Sequence, residues 1–237
     1  MKIELQPAFI LHSRPYRETS QLWELLTRDY GRVAAVARGT RGRGAARKGG
    51  MQAFTPLLIS LHGRGDGLFT LGGREQDGSP MGLAGQALAC GFYANEVIMR
   101  LCARADPMPE VFLLYRNVIS SLARNAIAPD RVLRLFEKQL LQFLGFGMQL
   151  LQCADTGAAV SGKSRYHYVH DYGPVEALQA GQSGVVISGA SLLALSAGSW
   201  DSDAIDRELK KLMRSVMARH LGDRALMSRC LLNGTRP

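Results

Sequence analysis

The chain has 237 residues, enough for one large domain or two smaller ones, and its 46% hydrophobic and 21% charged content is that of a globular protein, which sets disorder aside. Its formal net charge of +9 favours polyanionic partners, nucleic acid before anionic membrane. No apolar run approaches the roughly 18 residues that read as a membrane span, Lys2, Glu4, Gln6 and Pro7 interrupt any signal-peptide core, and the widely spaced Cys90, Cys102, Cys153 and Cys230 read as reduced thiols of a cytoplasmic protein.

The first 80 residues are short strand-like runs between turn residues. Ala8 to His12, Gln21 to Thr27, Arg32 to Ala37 (entered through Gly31), Pro56 to Leu61 and Gly67 to Leu71 predict a small closed or sandwiched β-domain. Leu22 to Leu26 does not alternate cleanly, so a helix remains an alternative there. Near residue 82 the period changes. Leu83, Ala87, Leu88, Val97, Ile98 and Leu101 suit one helix and Val111 to Leu122 a second. Pro129 opens a third, which Gly145 and Gly147 end. Residues 153 to 182, rich in Gly, Ser, Tyr and His, read as an insertion, and Val185 to Ser188 is a short apolar run. The last helix begins near Asp203, with Ile205, Leu209, Leu212, Met213, Val216, Met217 and Leu221 on one face and Arg207, Lys210, Lys211, Arg214 and Arg219 mostly on the other. Strands followed by helices, without βαβ alternation, make an α+β multidomain chain divided into 1–80 and 81–237.

Residues 38 to 48 carry Arg38, Arg41, Arg43, Arg47 and Lys48, no acidic residue, and Gly39, Gly42 and Gly44 between the charges. Such a segment cannot bury a core. It reads as a cationic loop whose side chains adapt to phosphates along an irregular path. Arg32 enters the same strand pair, and Arg14 and Arg17 lie in another loop of the same domain. Phe9, Tyr16, Trp23, Tyr30, Phe54 and Phe69 are candidates for stacking on bases, although a small barrel needs most of them as core.

Gly157 to Ser164 matches the phosphate-loop pattern letter for letter, but the next residues, Arg165 to Gly173, are strand-like rather than helical, so the mechanism lacks its helix N-terminus. Cys153, His167 and His170 are an incomplete zinc set, since Thr156 stands where a Cys-x-x-Cys partner would be. No nucleophile elbow, zincin motif or carboxylate pair indicates catalysis, so no enzyme, metal or cofactor is expected.

Ala8-Phe-Ile-Leu-His-Ser-Arg-Pro-Tyr-Arg-Glu-Thr-Ser20, Gly31-Arg-Val-Ala-Ala-Val-Ala-Arg-Gly39, Gln52-Ala-Phe-Thr-Pro-Leu57, Tyr93-Ala-Asn-Glu96, Arg134-Leu-Phe-Glu137 and Leu144-Gly145 resemble, in order, segments of the RecO family of DNA-repair proteins. The resemblance implies an N-terminal OB-fold barrel over 1–80, an α-helical bundle over 81–237, and the insertion 153–182 in place of a zinc-finger-like element. It also implies a cytoplasmic, nucleoid-associated protein that binds single- and double-stranded DNA, anneals complementary strands, works with RecR, and helps load RecA onto DNA covered by the single-stranded-DNA-binding protein. Many members carry two Cys-x-x-Cys pairs in the insertion; this chain keeps only Cys153, so zinc is not expected. A general RNA- or DNA-binding OB protein is the competing reading, and a nucleotide hydrolase using 157–164 a third.

The helix from about Pro129 to Leu144 places Arg131, Arg134 and Lys138 on one stripe, at i, i+3 and i+7, beside an apolar face of Leu135, Phe136, Leu140 and Phe143. An apolar groove edged by cations suits a peptide with an acidic run and a hydrophobic C-terminal residue. The resemblance independently implies the tail of the single-stranded-DNA-binding protein as partner, and Arg134, in the Arg134–Glu137 segment, is the first choice for the carboxylate contact.

Overall fold

The computed structural model describes residues 1–40, 53–63, 67–179, 181–222 and 226–228. They form two compact units, Met1–Pro129 together with residues 226–228, and Asp130–Arg224.

The first unit opens with five strands, β1 (Lys2–Tyr16), β2 (Ser20–Thr27), β3 (Gly31–Ala37), β4 (Leu57–His62) and β5 (Phe69–Gln76). They close into a barrel in the order β1-β2-β3-β5-β4, an OB-like arrangement. β3 and β5 run parallel; the other neighbours are antiparallel. Period-two alternation fills the interior with Ile10, Trp23, Leu25, Val33, Ala35, Leu57, Ile59 and Leu61. β2 is therefore a strand and not the helical alternative: Trp23 and Leu25 point into the core, and the strand is paired along its length with β3.

β1 is longer than its apolar run because it serves two neighbours. Lys2 to Ala8 pair with β4, and Ala8 to Tyr16 pair with β2. A register shift interrupts each ladder, between Ile3 and Gln6 and between Ile10 and His12, as expected where a strand bends to close a barrel. Gly31 turns the chain from β2 into β3 at φ 61°, and a Cβ there would lie 1.9 Å from the Asp106 carbonyl oxygen, so only glycine fits.

Two helices complete the unit, α1 (Gly85–Leu101) and α2 (Pro109–Arg124). While Ala8 and Ile10 face the barrel interior, Phe9 between them packs against Phe112 and Tyr115 of α2, with ring centroids 5.6 and 5.1 Å apart. Asn95 of α1 donates to the Leu11 carbonyl at 2.9 Å and accepts from the Tyr115 hydroxyl at 2.7 Å, all of it buried. The compact unit thus runs past residue 80, where strand period gives way to helix period.

The second unit contains α3 (Pro129–Phe143, but for its first residue), β6 (Arg165–Val169), β7 (Gly173–Val175), β8 (Val185–Ser188), α4 (Gly189–Ala197) and α5 (Asp203–Leu221). The strands form an antiparallel sheet in the order β7-β6-β8, so the segment 153–182 contributes two strands to a sheet that β8 completes. β6 directly follows the 157–164 segment, as its strand-like residues predict, and no helix N-terminus stands where a phosphate loop needs one. α4 is not apparent in the sequence: it has nine residues, no charged face, and only Leu192 and Leu195 as buried large side chains. α4 and β8 pack against α5, whose Leu209, Leu212, Met213 and Met217 are fully buried. Among the described residues no helix is long and apolar enough to cross a membrane.

Candidate nucleic-acid interface

Barrel topology gathers part of the predicted cationic surface. β1 ends, β2 begins and β3 ends at one end of the barrel, because Pro15 and Ala37 both pair with Gln21. Arg14, near the end of β1, Arg17, in the turn that follows, and Arg38, just past β3, are exposed at that end. Arg14 shares a row with Leu22 and Val36 on the outer face, since the adjacent row holds the inward-pointing Trp23. Arg17 adopts φ 54°, and its guanidinium carbon lies 5.3 Å from the centre of the half-buried Tyr16 ring. The chain leaves this end of β3 directly into 41–48; Arg41, Arg43, Arg47 and Lys48 lie outside the described residues.

Arg32 is not part of this cluster. It is the second residue of β3, six residues before Arg38, which is about 20 Å at the rise of a strand. Its guanidinium donates to the Met99 carbonyl and lies 4.0 Å from a Glu24 carboxylate oxygen, and its side chain is only 14% exposed. The backbone around it is held as well, with the Ala105 amide donating to the Arg32 carbonyl at 2.9 Å. Arg32 therefore fastens the β3 entrance to the end of α1. Among the candidate stacking rings, Phe9, Trp23, Phe54 and Phe69 are buried and Tyr30 packs against the barrel core, which leaves Tyr16 at the cationic end.

On α3, Arg131, Arg134 and Lys138 stand on one stripe as predicted, and each is engaged within its own unit. Arg131 grips the Asp206 carboxylate with two donors, Nε shared between both oxygens at 3.0 and 3.1 Å and Nη2 at 2.7 Å, and donates to the Trp200 carbonyl at 2.9 Å. Arg134 pairs with Glu137, whose side chain is 1% exposed. Lys138 donates to the carbonyls of Leu195 and Ser196 at 2.8 and 3.2 Å, closing the last turn of α4, and burial lowers its pKa. The apolar face beside the stripe is core rather than open groove: Phe136 and Leu140 are fully buried, Leu135 is half-buried, and Phe143 alone is 42% exposed. Of the predicted peptide contacts, the Arg131 side chain is 22% exposed, the Arg134 side chain 12%, and Leu135 is half-buried.

In the insertion, Cys153 is buried and its thiol is pushed up by burial, while Thr156 hydrogen-bonds to it. Among the described residues no three His, Cys, Asp or Glu side chains come together as a metal set.

A closed OB-like barrel, cationic at one end and continued by helices, is the class of protein that this fold and site define. The family models agree with that division. Residues 1–75 match the model for the Recombination protein O N terminal, and 83–229 the model for the Recombination protein O C terminal. The DNA repair protein RecO of Nitrosococcus oceani is 43% identical over 236 residues, covering 100% of this chain and 95% of that protein. Those of Coxiella burnetii and Methylococcus capsulatus are 42% and 40% identical, over 98% and 99% of this chain and 98% and 95% of theirs. The chain belongs to the RecO family of DNA repair proteins.

Proposed function

We propose that this protein is a recombination mediator with no catalytic step of its own: it binds single- and double-stranded DNA, anneals complementary strands, and with RecR helps load RecA onto DNA coated by the single-stranded-DNA-binding protein. The observation that carries the reading is the convergence of Arg14, Arg17 and Arg38 at one end of the barrel, from which the chain continues into Arg41, Arg43, Arg47 and Lys48. Guanidinium and ammonium groups without a fixed base-reading element bind phosphates irrespective of sequence. A cationic surface that holds two strands at once also screens the repulsion between them, which is the physical requirement for annealing. Tyr16 beside Arg17 is the ring best placed to stack on a base.

The test is an electrophoretic annealing assay with complementary labelled strands. Wild-type protein is expected to anneal them without ATP and after chelator treatment. Changing Arg38, Arg41, Arg43, Arg47 and Lys48 together to Ala should weaken binding and reduce its salt slope by roughly 0.7 log units for each phosphate of the single strand that is no longer neutralised. An unchanged affinity and slope would remove the assignment, and a preference for RNA competitor would favour the general RNA-binding reading.

The tail of the single-stranded-DNA-binding protein is proposed to dock at the half-buried edge of α3, with Arg134 receiving its carboxylate and Leu135 its terminal side chain. One donor of Arg134 serves Glu137, and the planar guanidinium has further N–H groups to offer. Arg131 and Lys138 shape this edge through their internal partners. Titration of a fluorescent tail peptide into wild type and Arg134→Lys checks it; equal binding places the tail elsewhere.

A further inference from the structure

A cavity of about 290 Å³ lies within the second unit, between the segment that follows α3, the β6–β7 hairpin and the last turns of α5. Its walls are set by backbone geometry. Helix α3 ends in a Schellman motif, with Gly145 at φ 85° donating to the Gln142 carbonyl at 3.2 Å and Phe146 donating to the Leu141 carbonyl at 2.8 Å. This fixes the direction in which Phe146 leaves the helix. Its ring stays 54% exposed and lies 4.7 Å from the His220 ring, tilted by 41°. Opposite, Asp171 at φ 60° and Gly173 at φ 124° turn the hairpin tightly and present Tyr172, 50% exposed, with its hydroxyl donating to the Ala154 carbonyl at 3.0 Å. His170 is held by Ser215 at 2.9 Å, and Asp171 by Arg219 at 2.7 Å.

The wall therefore combines half-exposed ring faces with hydrogen-bonding groups at their edges: the Gln149 amide, the imidazoles of His170 and His220, and the Asp171 carboxylate. His170 and Asp171 already have Ser215 and Arg219 as partners, and both keep hydrogen-bonding capacity that an aliphatic side chain would leave unused. A planar heterocycle with donors and acceptors around its rim satisfies both. The volume is at the lower edge of the ~300–1,000 Å³ usual for ligand pockets, room for one ring system rather than an extended ligand. Arg219 near the rim and the net charge of +9 favour a ring attached to a phosphate backbone.

We propose that this cavity receives one unstacked nucleobase of single-stranded DNA, stacked on Phe146, and so forms a second contact with the strand outside the barrel. The inference rests on the DNA-binding reading above. Base–aromatic stacking tolerates any sequence and carries no ionic component, so its signature differs from that of the barrel arginines.

The experiment uses the full chain and a thymidine oligonucleotide carrying 5-iododeoxyuridine, photo-crosslinked and mapped by mass spectrometry, with affinity measured over a salt series. Cross-links are expected on 145–149 or 168–172. Phe146→Ala is expected to bind about 5-fold or more weakly with an unchanged salt slope, and Phe146→Trp, which keeps a stacking face, to restore binding. Thermal denaturation of both variants confirms that they are folded. If wild type binds DNA but cross-links only in the barrel and Phe146→Ala binds as wild type does, this inference is overturned while the proposed function stands. If wild type does not bind the oligonucleotide, the proposed function fails and this inference with it. Thymidine monophosphate competing as well as the oligonucleotide would instead define a free-nucleotide site and overturn the assignment to a strand.

Discussion

Two carboxylates in the second unit show how charge is used inside the fold. Glu137 is buried against Arg134, so Arg134→Ala removes its guanidinium partner and is expected to cost about 3 kcal/mol in chemical denaturation. Glu137→Gln in the same chain should recover much of that loss; a fully additive pair of losses would show that the two side chains are not coupled. Glu208 accepts from the Ser188 amide and hydroxyl and from the Ser191 hydroxyl at 2.6–2.9 Å, with Arg165 at 3.1 Å. Burial alone would raise its pKa; these donors, Ser188 foremost, outweigh it and hold the carboxyl at about 2 against an ordinary 4.5. A carboxyl depressed in the folded state stabilises fully above its unfolded value and loses that contribution as pH falls through its folded value. The second unit should therefore lose stability between pH 4.5 and about 2, and Glu208→Gln should flatten that acid limb in thermal melts taken across the range. Side-chain charges of this kind are visible in a sequence, but their pairings are not. The spacing of Arg131, Arg134 and Lys138 predicts one stripe correctly, yet nothing local announces that Asp206, 75 positions away, closes on Arg131.

At the level of elements, legibility followed periodicity. α3 and α5 alternate strongly and fall within a residue or two of their expected ends, whereas α4, without a polar face, leaves no amphipathic trace. The first residues of β1 are hidden for another reason: Lys2, Glu4, Gln6 and Pro7 interrupt the apolar pattern, because this stretch bends between two partner strands and keeps only Ile3 and Gln6 buried. The barrel end was legible through its arginines, while the cavity beside Phe146 was not, since its walls come from three separate segments. The joint between barrel and helices rests on Asn95, which bridges β1 and α2 from α1. Asn95→Ala leaves a buried carbonyl and a buried hydroxyl without partners and should cost roughly 2–3 kcal/mol, against about 1 kcal/mol for Tyr115→Phe. Urea denaturation of both variants measures the difference; equal small losses would mean that water replaces the amide.

For the molecule as a whole, the two proposed kinds of DNA contact imply two kinds of response to salt. Binding by the barrel end should weaken steeply with ionic strength, and the residual affinity at high salt should depend on Phe146 rather than on the arginines. A salt series on the five-residue loop variant combined with Phe146→Ala checks this; a residual affinity at high salt that is the same with and without Phe146 would count against it.

Glu96, on α1, accepts hydrogen bonds from the amides of Met227 and Ser228 at 3.0 and 2.9 Å and from the Ser228 hydroxyl at 2.7 Å, while pairing with Arg100 at 3.1 Å. The first unit is thus assembled from residues on both sides of the second unit in sequence. During synthesis, the residues of the second unit therefore emerge before residues 226–228, on which the first unit depends. A chain truncated after Gly222 and released should then resist protease over 130–222 and be more readily cleaved near Glu96 than the chain that contains residues 226–228.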